Sequence, residues 1–299
     1  MSFRFILIIG LLMTTQLAVA QKKVSITIDD VPNTSGYERD GFSSKLLQQL
    51  DSLSIPIAIF VNEGLIYKSD SLSKNFELLN NWSSKDYVTL GNHSFDHSRY
   101  SETGIELFSK DVLNGEAISR NLSNVHNKPL EYFRFPYNDL GKDSLQHSQI
   151  KRFLAEHGYQ ITPFTIESSD WMFNAVYLYY LNQNNTEKAR EIGELYVTKT
   201  LEYFEFFEDL ATEDYQRDVH QIYLCHDNKI NADYLSMIVN KLKMRDYEFI
   251  SLEEALTDKV YSQPDTYYQK WGVSWFYRWI PTQKERVKYM MQEPDIKTI

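Results

Sequence analysis

The sequence predicts an α/β protein built on a parallel sheet, closed or open. Three observations lead there. Short β-branched apolar runs alternate with amphipathic helical stretches along most of the chain. Polar residues able to do chemistry follow directly after those runs, as they do where parallel strands end at their C-terminal side. The 299 residues are 42% hydrophobic and 24% charged, ordinary globular proportions at a length within range of one α/β barrel.

The elements follow in order. Residues 1–20 have the features of a cleavable secretory signal: Arg4 before an apolar run from Phe5 to Met13, then Ala18-Val19-Ala20 ahead of Gln21. The run is short for a membrane span, so the expectation is an exported protein, periplasmic or secreted, cleaved after Ala20, with no stable span thereafter. Strands are predicted at Val24–Ile28, Ile55–Val61, Tyr87–Leu90, Tyr132–Phe135, Tyr159–Ile166, Gln221–Cys225 and Tyr247–Ile250. Helical patterns occupy about 43–53, 70–80, 102–122, 144–157, 175–210 and 231–244. The stretch 175–218 exceeds one crossover helix. With Tyr177, Tyr179, Tyr180, Tyr203, Phe204, Phe206 and Phe207 it has an apolar face to bury, so it is expected to be a two-helix insertion packed on the sheet domain of residues 21–258.

Residues 259–299 break the alternation and are expected to form a helical C-terminal extension packed on that domain. Trp271, Trp275 and Trp279 are spaced four apart, which on a helix lines three indoles along one face. Such a stripe either docks on the core or offers a platform for sugar rings.

Charge and cysteine content narrow the classes further. A net charge of −10 repels phosphate backbones and argues against a nucleic-acid partner. With one cysteine, Cys225, no intramolecular disulfide forms and stability rests on the packed core. Its place between Leu224 and His226 on a strand points it away from their face, into packing.

The strand-end residues are Asp29 and Asp30 after the first strand, Asn92, His93 and His97 after the third, Arg134 and Tyr137 at the fourth, Glu167, Asp170 and Trp171 after the fifth, and His226 at the sixth. On extended backbone the two adjacent acids face opposite sides, one toward a metal and one toward a water. His93 and His97, four apart on a helical turn, reach one ion. Two imidazoles and one carboxylate leave coordination positions open, as hydrolytic zinc sites require. His126, His147, His157 and His220 have no partner motif and are assigned to surface or packing.

The stretches Thr27-Ile28-Asp29-Asp30, His93-Ser94-Phe95-Asp96-His97, Arg134-Phe135-Pro136-Tyr137, Glu167-Ser168-Ser169-Asp170-Trp171 and Leu224-Cys225-His226 together resemble the five ordered motifs of the polysaccharide deacetylases, carbohydrate esterase family four. The resemblance spans roughly residues 22–256 and implies a distorted (β/α)7 barrel. It also implies roles. Asp30, His93 and His97 would hold a divalent metal, usually zinc. Asp29 would be the general base, oriented by Arg134. The backbone N–H of Tyr137 would stabilise the oxyanion, and His226 would protonate the leaving amine. Trp171 and Leu224 would line the pocket for the acetyl methyl. Glu167 stands where the family has the Asp that tunes the catalytic His, with an extra methylene that shifts the geometry. Val31 stands in place of a glycine beside the metal, and Asn138 in place of another, where Asn tolerates similar backbone angles.

The implied activity is removal of acetyl groups from N-acetylated, or O-acetylated, sugars of an extracellular or cell-wall glycan. Two alternatives stand beside it: a non-catalytic glycan-binding protein on the same fold, and a metal amidase for a small non-sugar amide. Glycan identity, native metal and oligomeric state are not legible in the chain.

Overall fold

The computed structural model describes residues 21–296; the expected signal segment lies outside them. The strands are β1 (Lys22–Val31), β2 (Ile57–Val61), β3 (Val88–Asn92), β4 (Leu130–Phe133), β5 (Gln160–Ile161), β6 (Ile166–Glu167), β7 (Gln221–His226) and β8 (Tyr247–Phe249). The helices are α1 (Thr34–Arg39), α2 (Lys45–Leu53), α3 (Leu72–Ser83), α4 (Tyr100–Asn114), α5 (Ala117–Val125), α6 (Ser144–Glu156), α7 (Asp170–Asn182), α8 (Thr186–Tyr215), α9 (Lys229–Lys243), α10 (Leu252–Ala255), α11 (Trp275–Trp279) and α12 (Gln283–Met290).

All strand pairs are parallel, in the order β5-β4-β3-β2-β1-β7-β6, with β8 paired to the start of β1. This is a distorted (β/α)7 barrel, left open between β5 and β6. The fifth predicted strand, 159–166, is instead two strands of two residues. Pro163 lacks an N–H for the ladder, and Thr162 N–H and Thr165 N–H turn to neighbouring strands, bonding Phe133 O and Ile222 O.

The period-2 alternation sorts side chains between two cores. Ala58, Phe60, Ile222 and Leu224 point inward with Tyr132 and Phe164. Val24, Ile26, Ile28, Ile57, Ile59, Tyr223 and Cys225 point outward and are buried against helices. Cys225 is fully buried on that outer side, and burial pushes its thiol well above the ordinary range. The same alternation in β1 sends Asp29 inward, in register with His226 of β7.

Two helical expectations change. The stretch 102–122 is two helices, α4 and α5, and Gly104 at φ 70° interrupts the first. The insertion is a pair, α7 and α8, packed on each other and on α9, and it begins at Asp170 rather than 175. Beyond residue 258 the extension has a 3₁₀ turn and two short helices separated by irregular chain. Trp271 lies ahead of α11, so the three indoles do not share a helical face. Trp279 is buried, Trp275 is partly buried, and Trp271 remains exposed.

Candidate active site

The C-terminal rim of the sheet gathers the strand-end residues. Asp30 follows Asp29 with a left-handed backbone, φ 58°. This turn, rather than pleat alternation, separates the two acids: Asp29 is buried, while the Asp30 side chain is 37% exposed. Val31 stays in the sheet beside it, opposite Val61 across a register shift, so the valine is accommodated without moving Asp30 off the rim.

His93 and His97 do not sit on a helical turn as expected. They lie on an irregular loop, with φ 64° at Ser94 and 56° at His97. The loop is held from outside the motif. The Asp111 carboxylate accepts from Phe95 N at 3.1 Å and Asp96 N at 2.6 Å. Gly115 lets α4 end against the loop, since a Cβ there would stand 2.3 Å from the Ser94 carbonyl carbon. Asn92 accepts from Ser94 N at 2.7 Å. Sequence reasoning missed Asp111, which reads as an ordinary helix acid.

Asp30 Oδ1 stands 3.4 Å from His97 Nε2 and 3.7 Å from His93 Nε2. One ligand atom from each of the three lies within 4.8 Å of the others. Ligands about 2.0–2.1 Å from a tetrahedral zinc stand about 3.4 Å apart, so the donor set fits one small divalent cation. His93 Nδ1 faces Arg134 O at 2.8 Å, which puts the ring proton there and aims a bare Nε2 at the cluster. Burial and the charge of His97 push His93 down to about 3, keeping it in the neutral, ligating form.

Asp29 flanks the cluster, its Oδ2 4.0 Å from His93 Nε2 and 3.6 Å from Arg134 Nη1. That ion pair is longer than a hydrogen bond. Arg134 is fixed instead by Thr27 Oγ1 at 3.2 Å, Pro163 O at 3.1 Å and the face of Phe60. Asp29 Oδ1 is buried with no hydrogen-bond partner among the described residues. Burial raises the Asp29 carboxyl above its usual range, against the opposing charges of Arg134 and His226.

On the other side stands His226, and its partner is not Glu167. Asp170 Oδ1 lies 2.7 Å from His226 Nδ1. Its Oδ2 accepts from His226 N at 2.9 Å, Asn228 Nδ2 at 2.8 Å and Asn231 Nδ2 at 2.5 Å. The Glu167 carboxylate turns back to cap Ser169 N at 2.6 Å. Ser169, at φ 55°, redirects the chain so that α7 opens with Asp170 aimed at the histidine. Burial alone would lower His226, but the charge and hydrogen bond of Asp170, with Asp30 and Asp29 behind, raise it to about 10. Burial and the nearby Asp170 lift Glu167 to about 7.

These groups open into a cavity of about 530 Å³ whose walls include Tyr137, Trp171, Leu224 and Trp271. Tyr137 has φ 56° in the middle of the 3₁₀ turn Pro136–Asn138, its ring against His97 and under the Arg99 guanidinium. Asn138 beside it takes φ 50°. Left-handed non-glycine residues thus crowd this rim, the kind of strain that folds hold at functional sites. A second cavity, about 510 Å³, shares Asp30 and His97 and runs on toward Arg39 and Lys68. The remaining histidines stay apart; His147, for example, is buried against Gly141 O.

The polysaccharide deacetylase family model matches residues 17–162. Over that stretch, just under half of the chain, the sequence is similar to the polysaccharide deacetylases. Solved structures of this family are similar in fold. One is a family pseudoenzyme from Bacillus anthracis, 14% identical, TM-score 0.54, aligned over 79% of this chain and 66% of its own. Another is PdaA of Bacillus subtilis, a family 4 carbohydrate esterase, 18% identical, TM-score 0.51, over 79% and 81%. A third is the peptidoglycan N-acetylglucosamine deacetylase Bc1960, 14% identical, TM-score 0.54, over 79% and 88%. No curated protein sequence matches the chain at a significant level. At such identities the likeness speaks to the fold, and the chemistry of this chain has to be argued from its own side chains.

Proposed function

We propose that the chain is a metal-dependent hydrolase that removes acetyl groups from the N-acetylated sugars of a cell-wall or extracellular glycan. The observation that carries this is the convergence of Asp30, His93 and His97 within 4.8 Å, flanked by a buried acid and a charged imidazole. Asp30, His93 and His97 would hold a divalent ion, zinc by the donor set, which would supply Lewis acidity toward the acetamide oxygen and toward water.

The chain's own residues do the rest. Asp29, raised by burial and carrying an unpartnered Oδ1, takes the proton of the attacking water. Arg134 holds that carboxylate in place by charge rather than by a hydrogen bond. The N–H of Tyr137 donates to the developing oxyanion. His226, kept protonated by Asp170, delivers a proton to the departing nitrogen. An amine leaves poorly without that proton, and His226, in the wall of the same cavity as Asp29 and Asp30, stands where it can supply it. Trp171 and Leu224 bound the space for the acetyl methyl.

Two cavities meeting at Asp30 and His97 leave room on both sides of the reacting sugar, which supports a glycan chain over a small isolated amide. Export, with cleavage after Ala20, would put the enzyme where such glycans are. No helix among the described residues is long and apolar enough to cross a membrane.

Acetate release tests this directly. Zinc-loaded protein should liberate acetate from N-acetylglucosamine oligomers or peptidoglycan fragments, and the Asp29→Asn variant should not. Glycan binding with no acetate released from any of these would leave a binding protein instead.

A further inference from the structure

We infer that Trp271, on the C-terminal extension, forms a sugar-binding subsite, its indole stacking on the pyranose ring next to the one being deacetylated. This rests on the deacetylase reading of the same cleft. The extension is fastened where the barrel fails to close. Trp275 N donates to Phe164 O at 2.9 Å and Ser274 Oγ to Thr165 O at 2.6 Å, in the gap between β5 and β6. Upstream of that staple, Gly272 lies on the Tyr137 loop. A Cβ at Gly272 would stand 2.3 Å from Tyr137 O and 2.8 Å from Asn138 Cβ, so only glycine permits the approach.

Held on both sides, Trp271 stands in the wall of the cavity that contains Asp29, His226 and Trp171. An exposed tryptophan alone needs no explanation. This one differs from Trp275 and Trp279, four and eight residues on, which are partly or fully buried, whereas Trp271 stays 56% exposed. Lys270 Nζ lies 4.9 Å from the indole centroid, leaving the ring polarised and partly shielded on one side. A flat apolar ring fixed beside a polar reacting centre suits the C–H face of a sugar. Because the groove continues past Asp30 and His97 into the second cavity, the ring it meets belongs to a chain rather than to a lone monosaccharide. Trp271 itself belongs to the C-terminal extension, while the Tyr137 loop that Gly272 packs on belongs to the barrel.

The test is the dependence of acetate release on oligomer length, with N-acetylglucosamine dimer through hexamer as probes. The wild type should show KM falling as the chain lengthens. Trp271→Ala should raise KM for the tetramer and hexamer about tenfold, with the loss in KM rather than kcat. Trp271→Phe, which keeps an aromatic face, should recover most of it. Unchanged KM in the alanine variant, or a loss in kcat that phenylalanine does not rescue, overturns the subsite. Should the alanine variant fold poorly, wild-type KM that is flat with length overturns it equally. Should the wild type release no acetate, the deacetylase reading fails. The subsite is then read by calorimetric binding of the tetramer, where Trp271→Ala should bind about tenfold more weakly and equal affinity contradicts it.

Discussion

His226 sits where two opposed effects meet: burial disfavours its charge, and Asp170 restores it. A proton donor is useful only while protonated, so activity should persist upward in pH and fall as His226 deprotonates. Asp170→Asn removes the charge while keeping the shape, and the alkaline limb of the pH–rate profile should move to lower pH. Glu167→Gln leaves the Asp170 pair intact and should leave that limb nearly in place. The two profiles, measured side by side, decide which acid serves the histidine. Asp29→Asn should cost about a hundredfold or more in kcat, the usual worth of a positioned base. It should also lower the melting temperature, because Arg134 stays buried with its countercharge gone. The residue types and their order were legible in the chain: Asp29, Asp30, His93, His97 and His226 all reach one rim. Which acid faces His226 was not, because it depends on a left-handed turn at Ser169 that no spacing rule contains.

The ligand loop 93–99 has no helix or strand of its own to give it shape, so α4 shapes it from outside. Asp111 accepts from two consecutive loop N–H groups, and Gly115 allows the close contact. Asp111→Ala should weaken cation affinity about 10- to 100-fold, as loss of outer support does at metal sites, without touching a ligand. Calorimetric titration of the purified variant measures this. An affinity equal to wild type would mean that the loop holds its form alone. Long periodic elements such as α6 and α9 appear within a few residues of where the sequence puts them. The misreadings fall on short pieces governed by distant partners. The split β5–β6 segment bonds to strands on either side of it, and the tryptophan stripe is broken because Trp271 answers to the Tyr137 loop rather than to helical period.

The chain closes its open barrel with its own C-terminus, and that closure is written in buried acids. Asp258 is clasped by Arg217 at 2.5 and 2.8 Å and by His220 N and Val260 N. Burial opposes its charge, but these donors prevail and hold it down to about 2. Asp265, among Arg278, Lys151 and His147, is likewise held below the carboxylate range against its burial. With folded values depressed, their stabilisation is present above the unfolded value of about 4 and is lost as pH falls toward 2. With Arg217 half in solvent and its pull screened, Asp258 contributes about 1 kcal/mol of that. Chemical denaturation between pH 5 and pH 2 should show the loss, and Asp258→Asn should flatten the slope by that share. An unchanged slope would mean that the clasp survives protonation. The extension would loosen with these contacts, carrying Trp271 away from the cleft. The proposed chemistry nevertheless depends on one cation between Asp30, His93 and His97, and one titration reaches it. Protein stripped by a chelator is given zinc in steps while acetate release from an N-acetylglucosamine tetramer is followed. Release should climb from background to a plateau at one ion per chain. The same release before any zinc is added, or none at any amount, would contradict the account.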